Sequence, residues 1–331
     1  MTPSPVSTSA VVAPEFKLSA TRVPLVIVSP VRDEAALIRL TLDAMLQQTV
    51  LPVEWVIVDD GSTDATPAIV AAYAARYPFI RLVHNPDRGY RKVGAGVVVA
   101  FKFGVSQIQY QAYQYLAKMD GDMSFGPHYL AQMFAAFDAD PRLAAISGKV
   151  FRPEGNQLVE EAIIDEHVAG QFKLYRRAAY EEIGGFVEEV LWDGIDVHMA
   201  RMKGWHTQSI PAPEARLYHH RLMGSSDKNV FRGRMRWGRG IWFMGYHPLY
   251  ALASALFRMR EKPRVIGGLV IFFAYCKAAV TQHPRYDYPG FREYLQDWQL
   301  AQLKQKAAGL LTKLGLLTNP ESAKPPKKGQ E

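Results

Sequence analysis

Cysteine is almost missing from this chain: Cys276 stands alone among 331 residues. A single thiol excludes an internal disulfide framework and fits a reducing compartment, where its ordinary role is that of a small buried hydrophobe. Residues 1–22 lack the basic start and unbroken apolar run of a secretory signal. Rich in Ser, Thr, Ala, Val and Pro, they are expected to form a disordered leader on a cytoplasmic protein. No internal repeat occurs, which sets repeat architectures aside. Long apolar runs are scarce too. Ile241 to Phe257 has no Asp, Glu, Lys or Arg, but Gly245 and Pro248 interrupt it, and Val265 to Cys276 is shorter. Against the roughly 20 apolar residues of a full crossing, the first run is borderline and the second too short.

What remains is a globular composition, 48% apolar and 21% charged with a net charge of +7, in a chain long enough for one large domain or two small ones. Leu25 to Ser29 is a short β-branched run of the kind buried on both faces of a sheet. Pro30 ends it, and Leu37, Leu40, Ala44 and Met45 then recur at helical spacing, with Asp33 and Glu34 placed to complement a helix N-terminus. A strand over Trp55 to Val58, a helix from about Ala65 to Tyr77 and a brief strand over Ile80 to Val83 follow. This alternation implies parallel strands with right-handed crossovers. Ligands of such sheets collect beyond the carboxyl ends of the strands.

Three acid-rich stretches fall at strand ends: Pro30 to Glu34, Asp59 to Ser62, and Asp120-Gly121-Asp122. In an extended segment residues i and i+2 share a face, so Asp120 and Asp122 repel unless a cation joins them. A hard ion such as Mg²⁺ or Mn²⁺, shared with phosphate oxygens, is the usual partner. An isolated Asp-Gly-Asp is more often a solvated turn; three acidic strand ends in one sheet are harder to dismiss. Between them lies Asn85 to Gly104, a glycine-bearing loop with Arg88, Arg91 and Lys92 that could hold a diphosphate or be a basic surface loop.

Taken together, VIVSPVRDE, VIVDDGSTD, the Gly/basic loop, KMDGDMS, YEEIGGFVEEVLWDGIDVHMARMKGW and PEARLYHH resemble the family 2 glycosyltransferases, from about Pro24 to His220. The resemblance implies an α/β fold of the GT-A type, a Rossmann-like mixed sheet flanked by helices, with a C-terminal helical extension. A catalytic domain is expected over 23–240, followed by a helical region over 241–315 and a disordered tail over 316–331. Pro30 and Glu34 would lie beside the nucleoside, Asp59 and Asp60 would meet base and ribose, and Arg88 and Lys92 would lie near the diphosphate. Asp120 and Asp122 match the family's Asp-x-Asp motif, the second acid binding Mg²⁺ or Mn²⁺ most directly and the first reaching the nucleotide as well; His219 matches a histidine that closes the metal site.

The family's Glu-Asp pair aligns with Ile195-Asp196, so the Glu is missing. Asp196 is the expected base, with Asp193, three residues earlier, as its rival. The Gln-x-x-Arg-Trp motif of processive members is only echoed by Gly233 to Trp237, which points to a non-processive enzyme. The resemblance thus implies inverting, metal-dependent transfer of one sugar from a nucleotide-sugar to a glycan or lipid-linked acceptor, a polysaccharide precursor. Two other readings stay open: a sugar-nucleotide-binding membrane scaffold without catalysis, and a sugar nucleotidyltransferase, although the latter's Gly-rich loop after the first strand is lacking.

Beyond the catalytic stretch, Arg216 to Arg239 carries six arginines and Lys228 against Asp227 alone. The apolar segments that follow suit either core helices or a peripheral membrane contact through 241–280, at the cytoplasmic face of the inner membrane. No interleaved basic and aromatic platform favours nucleic acid. Tyr286 to Leu311 reads as a turn and a terminal amphipathic helix.

Overall fold

The computed structural model describes residues 13–15, 20–85, 95–155, 157–161, 164–220, 230–261 and 263–313. They divide between two compact units, Met1–Val230 and Phe231–Glu331.

The first unit is built on β1 (Thr21–Val31), whose residues Leu25 to Ser29 are fully buried. After it come α1 (Ile38–Leu46), β2 (Val50–Asp59), α2 (Thr66–Arg76), β3 (Ile80–His84), α3 (Ala95–Ser106), β4 (Tyr115–Met119), β5 (Met123–Phe125) and α4 (Tyr129–Ala139). Next are β6 (Leu143–Gly148), β7 (Val150–Glu154), β8 (Gln157–Glu160), β9 (Phe172–Arg176), α5 (Arg177–Glu182), α6 (Trp192–Met202), β10 (His206–Ile210) and β11 (Leu217–His219). The main sheet has the order β10-β6-β9-β4-β1-β2-β3. β1 pairs in parallel with β2 and β4, and β2 with β3, as the alternation of elements implies. β9 runs antiparallel between β4 and β6, so the sheet is mixed. A second sheet, β5-β11-β7-β8, sets His219 opposite Met123.

Pro30 lies inside β1 although it has no N–H to give. It is tolerated because pairing with β4 has already ended at Val28 opposite Lys118, leaving only the β2 side engaged. The expected leader is ordered in part. Thr21 and Arg22 belong to β1, Ala13 is buried, its carbonyl accepts from Arg76 at 3.0 Å, and that of Pro14 accepts from Tyr77 at 2.7 Å. Two side chains at the end of α2 therefore hold this piece of backbone. The tail over 316–331 lies outside the described residues.

The second unit consists of α7 (Val230–Met244), α8 (Pro248–Arg258), α9 (Ile266–Val280) and α10 (Phe291–Lys313), the last being the expected terminal helix. Backbone groups left over at the helix ends find side chains: Trp242 donates to the His283 carbonyl, and the His247 N–H donates to Gln299, each at 2.8 Å. Among the described residues no helix is long and apolar enough to cross a membrane.

Candidate active site

The loops after β1 and β2 are sewn together at the rim of the main sheet. Asp33 has a left-handed backbone (φ 56°), which Asp tolerates better than most residues, and its carboxylate accepts from the Thr63 N–H at 2.8 Å. The N–H groups of Asp33, Glu34 and Ala35 donate to Ser62, Thr66 and Asp64. Asp33 and Glu34 thus bind the second loop instead of capping α1, which has no acid in its first turn. Asp59 accepts from the Ser62 N–H and faces His84 Nδ1, both at 3.0 Å, while Asp60 accepts from Asn85 at 2.7 Å. These partners fix the two carboxylates at the strand end where the sequence expects a nucleoside. Glu34 is buried, and a Cβ on Gly121 would stand 3.6 Å from its Cγ and 2.8 Å from Val31 Cγ1. Only glycine lets the Asp120–Asp122 turn close onto the first loop. Three of the expected strand ends therefore meet; Arg88 and Lys92 lie outside the described residues.

Asp122 and His219 face each other with 3.4 Å between Oδ2 and Nε2, both nearly buried. On the other side of the imidazole, Nδ1 lies 3.7 Å from Glu161 Oε1; both of these atoms are buried and lack a hydrogen-bond partner. Burial opposes the imidazolium charge, but Asp122, Glu161 and Asp120 outweigh it and lift His219 to about 9. Burial likewise raises Asp120, Lys118 pulls it back down, and the charge of Asp122 adds to the rise.

No three His, Cys, Asp or Glu side chains form a ready-made metal cage among the described residues. Ions of the Mg²⁺ class are commonly held by one or two protein carboxylates, with phosphate oxygens and water completing the shell. An acid and a histidine facing one another at a buried turn, with a second acid behind the ring, fit that demand.

Asp196 is buried on α6 with its carboxylate engaged. It is 2% exposed, and its carboxylate accepts from Lys173 at 2.7 and 3.0 Å, from Tyr175 at 2.8 Å and from the Val197 N–H at 2.7 Å. Burial pushes its pKa up, while Lys173 and Tyr175 oppose the rise. The spacing that made Asp196 attractive turns it inward on α6. Asp193 sits in the first turn of that helix, where an acid suits the dipole. Its Oδ2 would be 2.9 Å from a Cβ at Gly170, so the carboxylate lies against a residue with no side chain. The Gly170 carbonyl accepts from Lys118 at 2.8 Å, and the next carbonyl, Gln171, accepts from the Asp120 N–H at 2.8 Å. The Gly170–Gln171 backbone therefore connects Asp193 with the Asp-Gly-Asp turn.

Residues 26–186 match the family model described as glycosyl transferase family 2. The chain carries a family 2 glycosyltransferase domain. The mixed sheet with its acidic rim is the GT-A architecture that membership implies. An uncharacterized protein of Mycobacterium tuberculosis is 41% identical over 97 residues, 29% of this chain and 26% of that one. A validoxylamine A glucosyltransferase of Streptomyces hygroscopicus subsp. limoneus is 31% identical over 160 residues, 45% of this chain and 33% of that one. The chain thus spans about a third or less of the length of these curated relatives. A mannosyltransferase structure from Pyrobaculum calidifontis, in complex with GDP-Man and Mn²⁺, is similar at 18% identity and a TM-score of 0.47, over 92% of this chain and 84% of that one.

Sequence reasoning missed Lys118, Glu161, Lys173 and Tyr175 in this glycosyltransferase domain. Two of them left a signal. YLAKM and FKLYR are largely apolar strands with a single lysine, next to last in the first and second in the other, and a lysine buried in a strand needs an acid partner. Glu161 follows another Glu in a polar stretch that carries no comparable cue.

Proposed function

We propose that the protein is an inverting glycosyltransferase that moves one sugar from a nucleotide-sugar to a hydroxyl acceptor, with Mg²⁺ or Mn²⁺ as cofactor. The observation that carries this reading is the Gly170–Gln171 segment, which lies against Asp193 and accepts from the Asp120 N–H of the turn that also bears Asp122. Glu34, Asp59 and Asp60 hold the nucleoside side of the donor, and Asp120 adds contact to the nucleotide. Asp122 and His219 would hold the cation, which would supply Lewis-acid stabilisation to a diphosphate leaving group. Asp193 takes the proton from the acceptor hydroxyl as that oxygen attacks the anomeric carbon from the face opposite the leaving group. A carboxylate is a weak base toward an alcohol, so proton transfer accompanies bond formation. Asp196 supports Asp193 and does not act on the substrate, because its acceptor positions are already engaged.

The acceptor is a glycan or lipid-linked precursor, reached by peripheral contact of 241–280 with a membrane at its cytoplasmic face. Support for that contact comes from α8 and α9. Leu252, Leu256, Phe257, Ile266, Leu269 and Phe273 are exposed, with Arg260 and Arg264 exposed on the turn between the helices. Exposed apolar side chains beside cationic ones suit an interfacial position. Flotation with vesicles of phosphatidylcholine and phosphatidylglycerol tests it: the protein is expected to rise with the vesicles, and protein that stays behind at low salt refutes the contact.

The enzymatic reading is tested by offering UDP-, GDP- and dTDP-sugars with and without Mn²⁺, measuring binding and release of nucleoside diphosphate. One donor class should bind in a Mn²⁺-dependent way and be turned over. Metal-independent binding with no release by the wild type would favour the non-catalytic scaffold.

A further inference from the structure

Two buried lysines stand side by side beneath the site. Lys118 on β4 and Lys173 on β9 are register partners across an antiparallel pair, 3% and 0% exposed. Like charges directly opposite one another destabilise a sheet unless each is neutralised. Each has its own acid. Lys118 donates to Asp120 at 2.5 Å and to the Gly170 carbonyl at 2.8 Å. Lys173 donates to Asp196 at 2.7 Å and to the Asp193 carbonyl at 2.9 Å. The Trp192 ring centroid lies 5.5 Å from one ammonium and 5.3 Å from the other, where its π face can help to offset both charges. Trp192 is also the residue immediately before Asp193.

The backbone at this point is strained. Leu191, which precedes α6, has φ 66° and ψ 22°, a left-handed conformation costly for a side chain of that kind. Such a conformation persists only where its surroundings hold it. The Leu191 carbonyl accepts from the Gly194 and Ile195 N–H groups, and the helix they belong to is held by Lys173, which pins the Asp193 carbonyl and the Asp196 carboxylate, and by Tyr175, whose hydroxyl donates to Asp196 at 2.8 Å.

The geometry points to Lys173 as a positioning residue: anchored by Asp196 and Tyr175, it aims the first turn of α6 so that Asp193 stays over Gly170, while its cross-strand neighbour Lys118 ties the same Gly170 to Asp120. Donor-side acid and base are thereby held in one frame through two lysines and a tryptophan. This inference rests on Asp193 being the base. Lys173 touches no substrate in this arrangement, so its removal should slow the chemical step and spare donor binding.

The test compares Lys173→Arg, Lys173→Gln and the double variant K173M/D196L. The double variant removes both buried charges together and avoids the unpaired carboxylate that a single substitution would leave. With UDP-glucose, GDP-mannose and dTDP-glucose plus Mn²⁺, wild type and variants are compared for nucleoside diphosphate release, donor KM and melting temperature. A misplacement of about 1 Å costs on the order of 10²-fold, so the folded double variant should lose roughly that in kcat, with donor KM within about twofold. Arg, which can keep both hydrogen bonds, should recover more of kcat than Gln. The inference is overturned if the folded Gln variant or the folded double variant keeps kcat near wild type, or if donor KM rises in step with the loss. Asp193→Asn with unchanged kcat would refute the base itself, and a wild type inert toward all three donors would refute the proposed function; these are separate results.

Discussion

The two units of this protein treat charge and apolar surface in opposite ways. In the first, Lys118, Lys149, Lys173, Asp122, Glu161 and Asp196 are all less than a tenth exposed. In the second, Gln299 is the sole polar side chain as deeply buried among the described residues, and large apolar groups such as Phe257, Ile266 and Phe273 are more than half exposed. Burying a charge is costly without a partner, and a protein keeps such groups chiefly where geometry must be fixed. Exposed apolar side chains signal the reverse, a surface that meets something other than water. The contrast separates a unit that buries paired charges from one that leaves large apolar side chains exposed.

The largest expected effect breaks the first side of the contrast. Asp122→Asn should lower nucleoside diphosphate release by about 10²–10³-fold, comparable to removing a principal transition-state contact, and EDTA should do the same to wild type. Isothermal titration with Mn²⁺ should show the weakened binding directly. Glu161→Ala should have a smaller effect in the same assay, about 10-fold or more in Mn²⁺ affinity, because an acid behind a liganding histidine orients its ring. Equal Mn²⁺ affinity in wild type and the Asp122 variant would remove that residue from the metal site.

A stability measurement sharpens the same comparison. Lys173→Met alone leaves Asp196 charged, buried and without its cation, a loss of about 3–5 kcal/mol. Leu256→Ser on α8 removes an exposed side chain and should change stability by less than about 0.5 kcal/mol. Urea unfolding of the two variants reads the difference. Similar losses would mean that Leu256 is covered in solution. Inside the second unit, Gly268 occupies an intermediate position. A Cβ there would approach the Ala255 carbonyl oxygen to 2.3 Å, so Gly268→Ala should cost about 1–3 kcal/mol by forcing α8 and α9 apart.

These side chains also show what the sequence made legible. The alternation of apolar β-branched runs with helical periodicity led to β1, β2 and β3 and to their parallel pairing, because both patterns are local. The rim acids Asp59, Asp60, Asp120 and Asp122 were legible because strand ends in such a sheet share one edge. The choice between Asp193 and Asp196 was not. The two differ in how α6 packs onto β9, where Lys173 and Tyr175 reach Asp196 from a strand some 20 residues away. Spacing along α6 contains no record of that partner. The ordering of Ala13 to Glu15 was hidden for the same reason, since Arg76 and Tyr77 supply it from the far end of α2.

The smallest effect expected lies at the surface of the first unit and bounds how far its preference for fixed charge extends. Asp64 is exposed, yet its carboxylate accepts from the Thr66 N–H at 2.9 Å, from the Thr66 hydroxyl at 2.5 Å and from the Ala35 N–H at 2.9 Å. Slight burial works against the charged form, but those hydrogen bonds prevail and hold its pKa below the ordinary carboxylate value. A carboxyl with a depressed folded-state pKa contributes its stability above its unfolded-state value and loses it as pH falls through the folded one. Asp64→Ala should therefore cost about 1 kcal/mol near neutrality, the usual worth of a group serving a helix start. The gap between variant and wild type should close as the solution is acidified below the normal carboxylate range. Urea titrations at neutral and acid pH measure that gap. A gap that stays constant would mean that Asp64 acts through packing; one that closes would show that even an exposed acid of this unit is retained for its bonds to the loop before α1.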